Sequence, residues 1–288
     1  MHTTLISATE LKQLLDSATP VRVYDCSADL MNPGAGREQY QAEHIPGASH
    51  VSLDEHLSDK AHPDRASGGR HPLPSRERFA AWLGRSGLTS PATQVVVYDR
   101  QGANYCGRLW WMLKWCGHEA VAVLDGGWAA WVAAGGVAES GPGPAPPAEA
   151  PAYPLSPARA ATANTTRLVQ QMGSPDLTLL DARAAARFRG EVEPLDPVAG
   201  HIPGALNRPF TENLGPDGRF KPASALRVEF EQLLAGRDPA SVVHHCGSGV
   251  SAIPNLLAME VAGLGRTALY PGSWSEWCNT PGAPCARG

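Results

Sequence analysis

The sequence predicts an α/β protein built from two tandem domains, each a mostly parallel twisted sheet flanked by helices. Three observations carry that prediction. First, the 288-residue chain is written twice, with its motifs in the same order. HIPGA at 44–48 returns at 201–205. VRVYDCS (21–27) lines up with LTLLDAR (177–183), and RFAAWLG (78–84) with EFEQLLA (229–235). QVVVYDR (94–100) lines up with SVVHHCG (241–247), and GGWAAW (126–131) with GSWSEW (272–277). Two copies are too few for a solenoid, so they read as tandem globular domains. Second, within each copy short β-branched runs alternate with helical patterns, which is the mark of a parallel sheet with crossover helices. Third, residues 135–157, GGVAESGPGPAPPAEAPAYPLSP, are rich in Pro, Ala and Gly and nearly devoid of large apolar side chains. Such a stretch is stiff and extended and joins domains. The expected organisation is a first domain over 1–136, a linker over 137–157 and a second domain over 158–288.

The elements follow in order. MHTTLISATELKQLLDSATP reads as a short strand and then a helix opened by Ser7 or Thr9. It lacks a charged region followed by an apolar block, so no secretory signal is expected. Val95, Val96 and Val97 give a buried-strand signal. GRLWWMLKWCGHE then places apolar residues at helical spacing with a Gly near its end, and AVAVLD is a strand again. Trp110, Trp111, Trp115, Trp128 and Trp131 fit the packing of a core. In the second copy, 241–245 reads as a buried strand, and SAIPNLLAMEVAGLG, from Ser251, as a helix ended by Gly263 or Gly265. Pro254 falls in its first turn, where amides have no helical partner.

Composition narrows the function. Net charge is −4 with ten histidines neutral, and no long basic run speaks for nucleic acid. No apolar run approaches the roughly 18–20 residues of a membrane span. The six cysteines (Cys26, Cys106, Cys116, Cys246, Cys278 and Cys285) form neither a CxxC nor a Cys/His metal spacing. A reducing cytoplasm, with most thiols simply buried, is expected.

The chemistry concentrates in VVHHCGSGVSA (242–252). Gly247, Ser248, Gly249 and Val250 join a buried strand to a helix. Small residues let the backbone curl and turn its N–H groups inward. Those amides and the helix N-terminus favour an anion at the sulfur of Cys246. A thiol titrating near 8.5 falls to about 7 or below in such a setting and becomes a nucleophile. A buried structural cysteine before a tight turn is the plain alternative. A cysteine phosphatase is disfavoured: its Arg would stand at the sixth residue after Cys, where this chain has Ala252, and no Arg occurs from 247 to 265.

These motifs together resemble the two-domain rhodanese-type sulfurtransferases, over about residues 5–280. HIPGA in each half, VVVYD, LWWM, LDGGW, CGSGVS and YPGSWSEW carry the resemblance. It implies two tandem rhodanese-like domains, with a nucleophile in the second alone. The repeat agrees, since Cys246 aligns with Asp99, which cannot attack sulfur. The loop Cys246, Gly247, Ser248, Gly249, Val250, Ser251 is similar to that of the mercaptopyruvate branch, with Ser for its usual Thr. A neutral loop suits an uncharged sulfur end better than dianionic thiosulfate.

From the resemblance, Arg187 is implied as the arginine that binds the donor's carboxylate. A second arginine expected after a Glu-Pro pair is missing, because Glu193 and Pro194 are followed by Leu195 and Asp196. Arg189 is the candidate substitute. On the residues alone, Arg183, Arg187 and Arg189 equally fit a solvated basic face. The resemblance further implies a relay of Asp54, His71 and Ser248, and a cleft-facing Arg108. The chain between Asp54 and His71 is longer than usual, with AHPDRASGGR inserted or rebuilt. Taken alone, Asp54 fits a turn cap and Arg108 a helix surface charge. His44 and His201 occur in both copies and are assigned to structural hydrogen bonds. Trp274 and Trp277 are placed near the active loop.

The resulting expectation is a sulfurtransferase that passes a sulfane sulfur through a Cys246 persulfide to cyanide, a thiol or a thioredoxin-like protein. The favoured donor is 3-mercaptopyruvate. The alternatives are a thiosulfate enzyme, or a persulfide carrier with little turnover if Pro254 distorts the loop. No metal or organic cofactor is implied, and a cytoplasmic monomer is expected.

Overall fold

The computed structural model describes residues 1–145, 147 and 149–288. Pro146 and Ala148 of the expected linker lie outside the described residues. Two compact units emerge. One comprises Met1–Asp59, Pro74–Arg159 and Pro216–Phe220; the other Lys60–Leu73, Ala160–Gly215 and Lys221–Gly288.

The first unit holds a five-stranded parallel sheet. Its strands are β1 (Leu5–Ile6), β2 (Val21–Asp25), β3 (Ser49–His50), β4 (Gln94–Tyr98) and β5 (Val121–Leu124). They lie in the order β1-β5-β4-β2-β3. Helix α1 (Ala8–Leu15) starts at Ser7, whose side chain accepts from the Glu10 amide while Glu10 reaches back to the Ser7 amide. This reciprocal cap settles the choice between Ser7 and Thr9. Every residue of β4 is buried, as befits a central parallel strand covered on both faces. After it, α2 (Cys106–Trp115) is buried throughout, which explains why its sequence is apolar nearly all round. The core joins Ile6, Leu11, Val23, Val96, Tyr98 and Trp131.

The second unit repeats the plan. Its strands are β6 (Ala161–Thr162), β7 (Thr178–Asp181), β8 (Leu206–Asn207), β9 (Val242–His245) and β10 (Ala268–Leu269), in the order β6-β10-β9-β7-β8. Central β9 pairs in parallel with β7, Asp181 opposite His245, and with β10, Leu269 opposite His244. Helix α3 (Ile253–Val261) begins two residues later than its pattern suggested. Pro254 sits in its first turn, and the helix forms without disruption. Leu179, Ile202, Val243, Trp274 and Trp277 pack the core.

The linker is extended but not bare. Glu139 bridges to His44, and the buried Tyr153 donates its amide to the Ala80 carbonyl at 2.9 Å. Residues up to Arg159 therefore pack with the first unit. No helix among the described residues is long and apolar enough to cross a membrane.

Candidate active site

In a parallel α/β sheet the loops leaving the carboxyl ends of central strands are where ligands bind. The first unit shows what this chain's loop does there. Directly after β4, Asp99 Oδ1 accepts the amides of Gln101 (2.9 Å) and Ala103 (3.0 Å). Its Oδ2 accepts those of Tyr105 (2.8 Å) and Cys106 (2.9 Å). Gly102 takes φ 68° to make the curl. Four main-chain N–H groups thus converge on one buried carboxylate.

The second unit keeps part of this backbone with different chemistry: Gly249 matches Gly102, but Val250 does not take the positive φ (66°) of its counterpart Ala103. Cys246 follows β9 and is 1% exposed. Gly249 has φ 74°, at the position equivalent to Gly102, and a Cβ there would lie 2.2 Å from the Pro271 carbonyl oxygen, so only glycine fits. The Trp274 amide donates to the Cys246 carbonyl at 2.9 Å, just as Trp128 donates to the Asp99 carbonyl at 3.1 Å. Ser273 holds φ 55°, as its counterpart Gly127 does. Strain of about 1–3 kcal/mol is expected for a non-glycine there. It is offset by the Ser273 hydroxyl, which accepts from the Cys246 amide (3.1 Å) and donates to the Tyr270 carbonyl (2.9 Å). The loop amides of Gly247, Ser248, Val250 and Ser251 have no acceptor among the described residues.

Of the relay residues, His71 and Ser248 come together. His71 Nδ1 lies 2.8 Å from Ser248 Oγ, and both residues are buried in the second unit. Asp54 occupies an exposed turn of the first unit. Arg108 is fully buried rather than a helix surface charge, and its Nη2 donates to the Leu57 carbonyl at 3.3 Å.

The basic residues of the second unit sort by burial. Arg183 is buried: it clasps Asp181 (Nη2 to Oδ2 2.7 Å), donates to the Gly200 carbonyl (2.7 Å) and lies 4.9 Å from the Trp274 ring centroid. Burial opposes its charge, but Asp181, Glu193 and the nearby Cys246 outweigh that and raise its pKa. Arg187 pairs with Glu193 (2.6 Å) and approaches Asp196 (3.6 Å). Arg189 is exposed and paired with Glu191 at 2.6 Å. A solvated face thus describes Arg189 and not its two neighbours. A Cβ built on Gly247 would lie 3.5 Å from Arg187 Nη1 and 3.1 Å from Nη2 of Arg70, a residue that sequence reasoning passed over. The only signal for Arg70 was the inserted AHPDRASGGR that carries it.

The remaining thiols are poor nucleophiles. Burial pushes Cys26 and Cys106 well up, Cys116 to about 12 and Cys278 to about 11. His44 and His201 serve the fold. Their Nδ1 atoms meet the carbonyls of Tyr40 (2.7 Å) and Phe188 (2.8 Å), and each ring stacks on the same residue's side chain.

Fold and loop together define a class: paired α/β domains in which one copy carries a cysteine at the head of a glycine loop and the other an acid. The rhodanese-like domain model matches residues 7–134 and 164–280. A Pseudomonas aeruginosa protein provisionally named 3-mercaptopyruvate sulfurtransferase is 44% identical over 99% of this chain and 98% of its own length. A Mycobacterium tuberculosis protein provisionally named thiosulfate sulfurtransferase SseB is 41% identical over 99% and 97%. The structure of 3-mercaptopyruvate sulfurtransferase from Leishmania major superposes with a TM-score of 0.82 at 32% identity, covering 98% of this chain and 76% of that one. The chain belongs to the rhodanese-like domain family, among its tandem-domain sulfurtransferases.

Proposed function

We propose that the chain transfers sulfur from 3-mercaptopyruvate through a persulfide on Cys246. The observation that carries this reading is the internal comparison of the two loops. In the first, four amides bind an anion. In the second, a loop with a glycine at the equivalent turn position, Gly249 for Gly102, presents Cys246 in place of that carboxylate. A cradle built for negative charge favours a thiolate and, after transfer, a persulfide.

The Cys246 thiolate attacks the donor's sulfur and the S–C bond breaks. Its electron pair passes to carbon, giving the enolate of pyruvate. Ser248 Oγ donates the proton that completes pyruvate and is resupplied by His71 at 2.8 Å. A thiol or cyanide then attacks the outer sulfur, the S–S bond breaks and its pair returns to Cys246. This proton route needs only the two residues that share one unit.

Charge supports the donor. The guanidiniums of Arg70, Arg183 and Arg187 are matched by Asp181, Glu193 and Asp196, so these side chains offer no surplus positive charge to a dianion. A monoanionic 2-oxo acid with a neutral sulfur end fits better than thiosulfate. Small thiols, cyanide or a thioredoxin-like protein are proposed as acceptors, with six free cysteines in keeping with a reducing cytoplasm. Mass spectrometry after exposure to mercaptopyruvate is expected to find one added sulfur on Cys246, and Cys246→Ser is expected to transfer none. Faster loading from thiosulfate than from mercaptopyruvate would overturn the donor; unmodified Cys246 with every donor would overturn the reading.

A further inference from the structure

We infer that Arg70, together with Arg187, forms the carboxylate clamp for the donor. This assignment rests on the sulfurtransferase reading and names the residue that replaces the missing second arginine. Arg70 belongs to the second unit through Lys60–Leu73, the segment containing the insertion. Its position is fixed at three levels. Gly69 takes φ 82° and runs so close to the chain that a Cβ would lie 2.5 Å from the Gly272 carbonyl oxygen. The Arg70 amide donates to Ser275 Oγ at 2.9 Å, and Ser275 in turn donates its amide to the Gly247 carbonyl at 2.9 Å. The Arg70 side chain then bonds Asp196 through Nη1 at 2.7 Å. Asp196 is itself held in a turn by its amide's bond to Glu193 (3.2 Å), and its side chain is 4% exposed.

These anchors leave one end of each guanidinium unspent. Arg70 uses Nη1 on Asp196; Arg187 uses Nε and Nη2 on Glu193. Arg70 Nη2 and Arg187 Nη1 have no acceptor among the described residues, and both lie within 3.5 Å of the point where a Gly247 side chain would begin. Their side chains are 26% and 21% exposed, so solvent reaches them. Two donors from two arginines therefore meet beside the residue that follows Cys246. That is the geometry for one planar carboxylate, held within reach of a sulfur a few bonds away. It also explains why Gly247 carries no side chain: any Cβ would occupy the carboxylate's seat. Arg189, exposed and paired with Glu191, contributes no donor there.

The test has a binding and a kinetic arm. Pyruvate titrated calorimetrically into Cys246→Ser measures carboxylate capture without turnover. Adding Arg70→Ala is expected to weaken it about 10- to 100-fold, the worth of a charge-assisted hydrogen bond. In the otherwise intact chain, Arg70→Ala should raise KM for mercaptopyruvate by a similar factor with little change in kcat. It should leave loading from 1-mercaptopropan-2-one, which keeps thiol and ketone but lacks the carboxylate, within about twofold. R70A/D196N repeats both arms without stranding a buried carboxylate. Unchanged pyruvate binding, an equal fall for both donors, or a loss confined to Arg189→Ala overturns the assignment. Failure of the parent chain to accept sulfur would overturn the functional reading instead, while the pyruvate arm still decides Arg70.

Discussion

At the scale of single residues, the proton matters as much as the nucleophile. In the proposed reaction the enolate leaving group needs protonation, a role we propose for Ser248, which lies 2.8 Å from His71. Ser248→Ala and His71→Asn are each expected to lower kcat for mercaptopyruvate by about 10²-fold or more. The second half-reaction breaks an S–S bond and makes no carbanion. Discharge of preformed Cys246 persulfide by cyanide should therefore keep its rate. Stopped-flow measurement of the two half-reactions separates these outcomes; a parallel loss in both would mean that the pair only supports the loop. The turn that carries Cys246 was legible from the glycines and serines around it. Arg70 was not, because an arginine in an insertion gives no hint of its destination. Only contacts with Asp196 and Ser275, far along the chain, reveal it.

At the scale of elements, β9 sets the pH response. His244 and His245 sit in a fully buried strand; their ring nitrogens make no hydrogen bond among the described residues, but His245 Nδ1 lies 3.8 Å from Asp181 Oδ2. Burial pushes His244 down to about 3 and lowers His245 as well. The His244 ring stays neutral in the folded chain, while the unfolded chain protonates it below about 6.5. Protons therefore favour the unfolded state. Its contribution to stability is fully present above pH 6.5 and declines as pH falls towards the folded value, by at most about 1.4 kcal/mol per pH unit. His244→Leu should flatten this decline and cost little at neutral pH, since it removes an unsatisfied polar group. Urea melts from pH 7.5 to 4.5 check it; an unchanged pH profile would rule it out. The strand itself is readable as an apolar run, and α3 starts only two residues later than its pattern suggests. Its start is decided by the loop's hydrogen bonds, which periodicity does not encode.

At the scale of the whole molecule, one backbone plan serves two chemistries. In the first unit, Asp99 satisfies four loop amides internally. In the second, the loop amides of Gly247, Ser248, Val250 and Ser251 have no acceptor among the described residues, while that of Ile253, the counterpart of Cys106, donates to the Val250 carbonyl at 3.1 Å. Asp99→Ala is expected to destabilise the first unit by several kcal/mol, roughly 1–3 per stranded donor before water compensates. It should leave sulfur loading on Cys246 intact at temperatures below the shifted melt. Calorimetry with parallel persulfide mass spectrometry tests this, and loss of loading in still-folded protein would contradict it.

The amino-acid sequence by itself determined the duplication, the parallel α/β plan of each copy and the cysteine loop, because these rest on local periodicity, turn chemistry and an internal repeat. Tertiary structure alone decided which charges face the loop, that His71 meets Ser248, and that Arg70 rather than Arg189 stands over Gly247. Those outcomes depend on residues more than a hundred positions apart being brought within hydrogen-bond reach, and no local pattern records such a meeting.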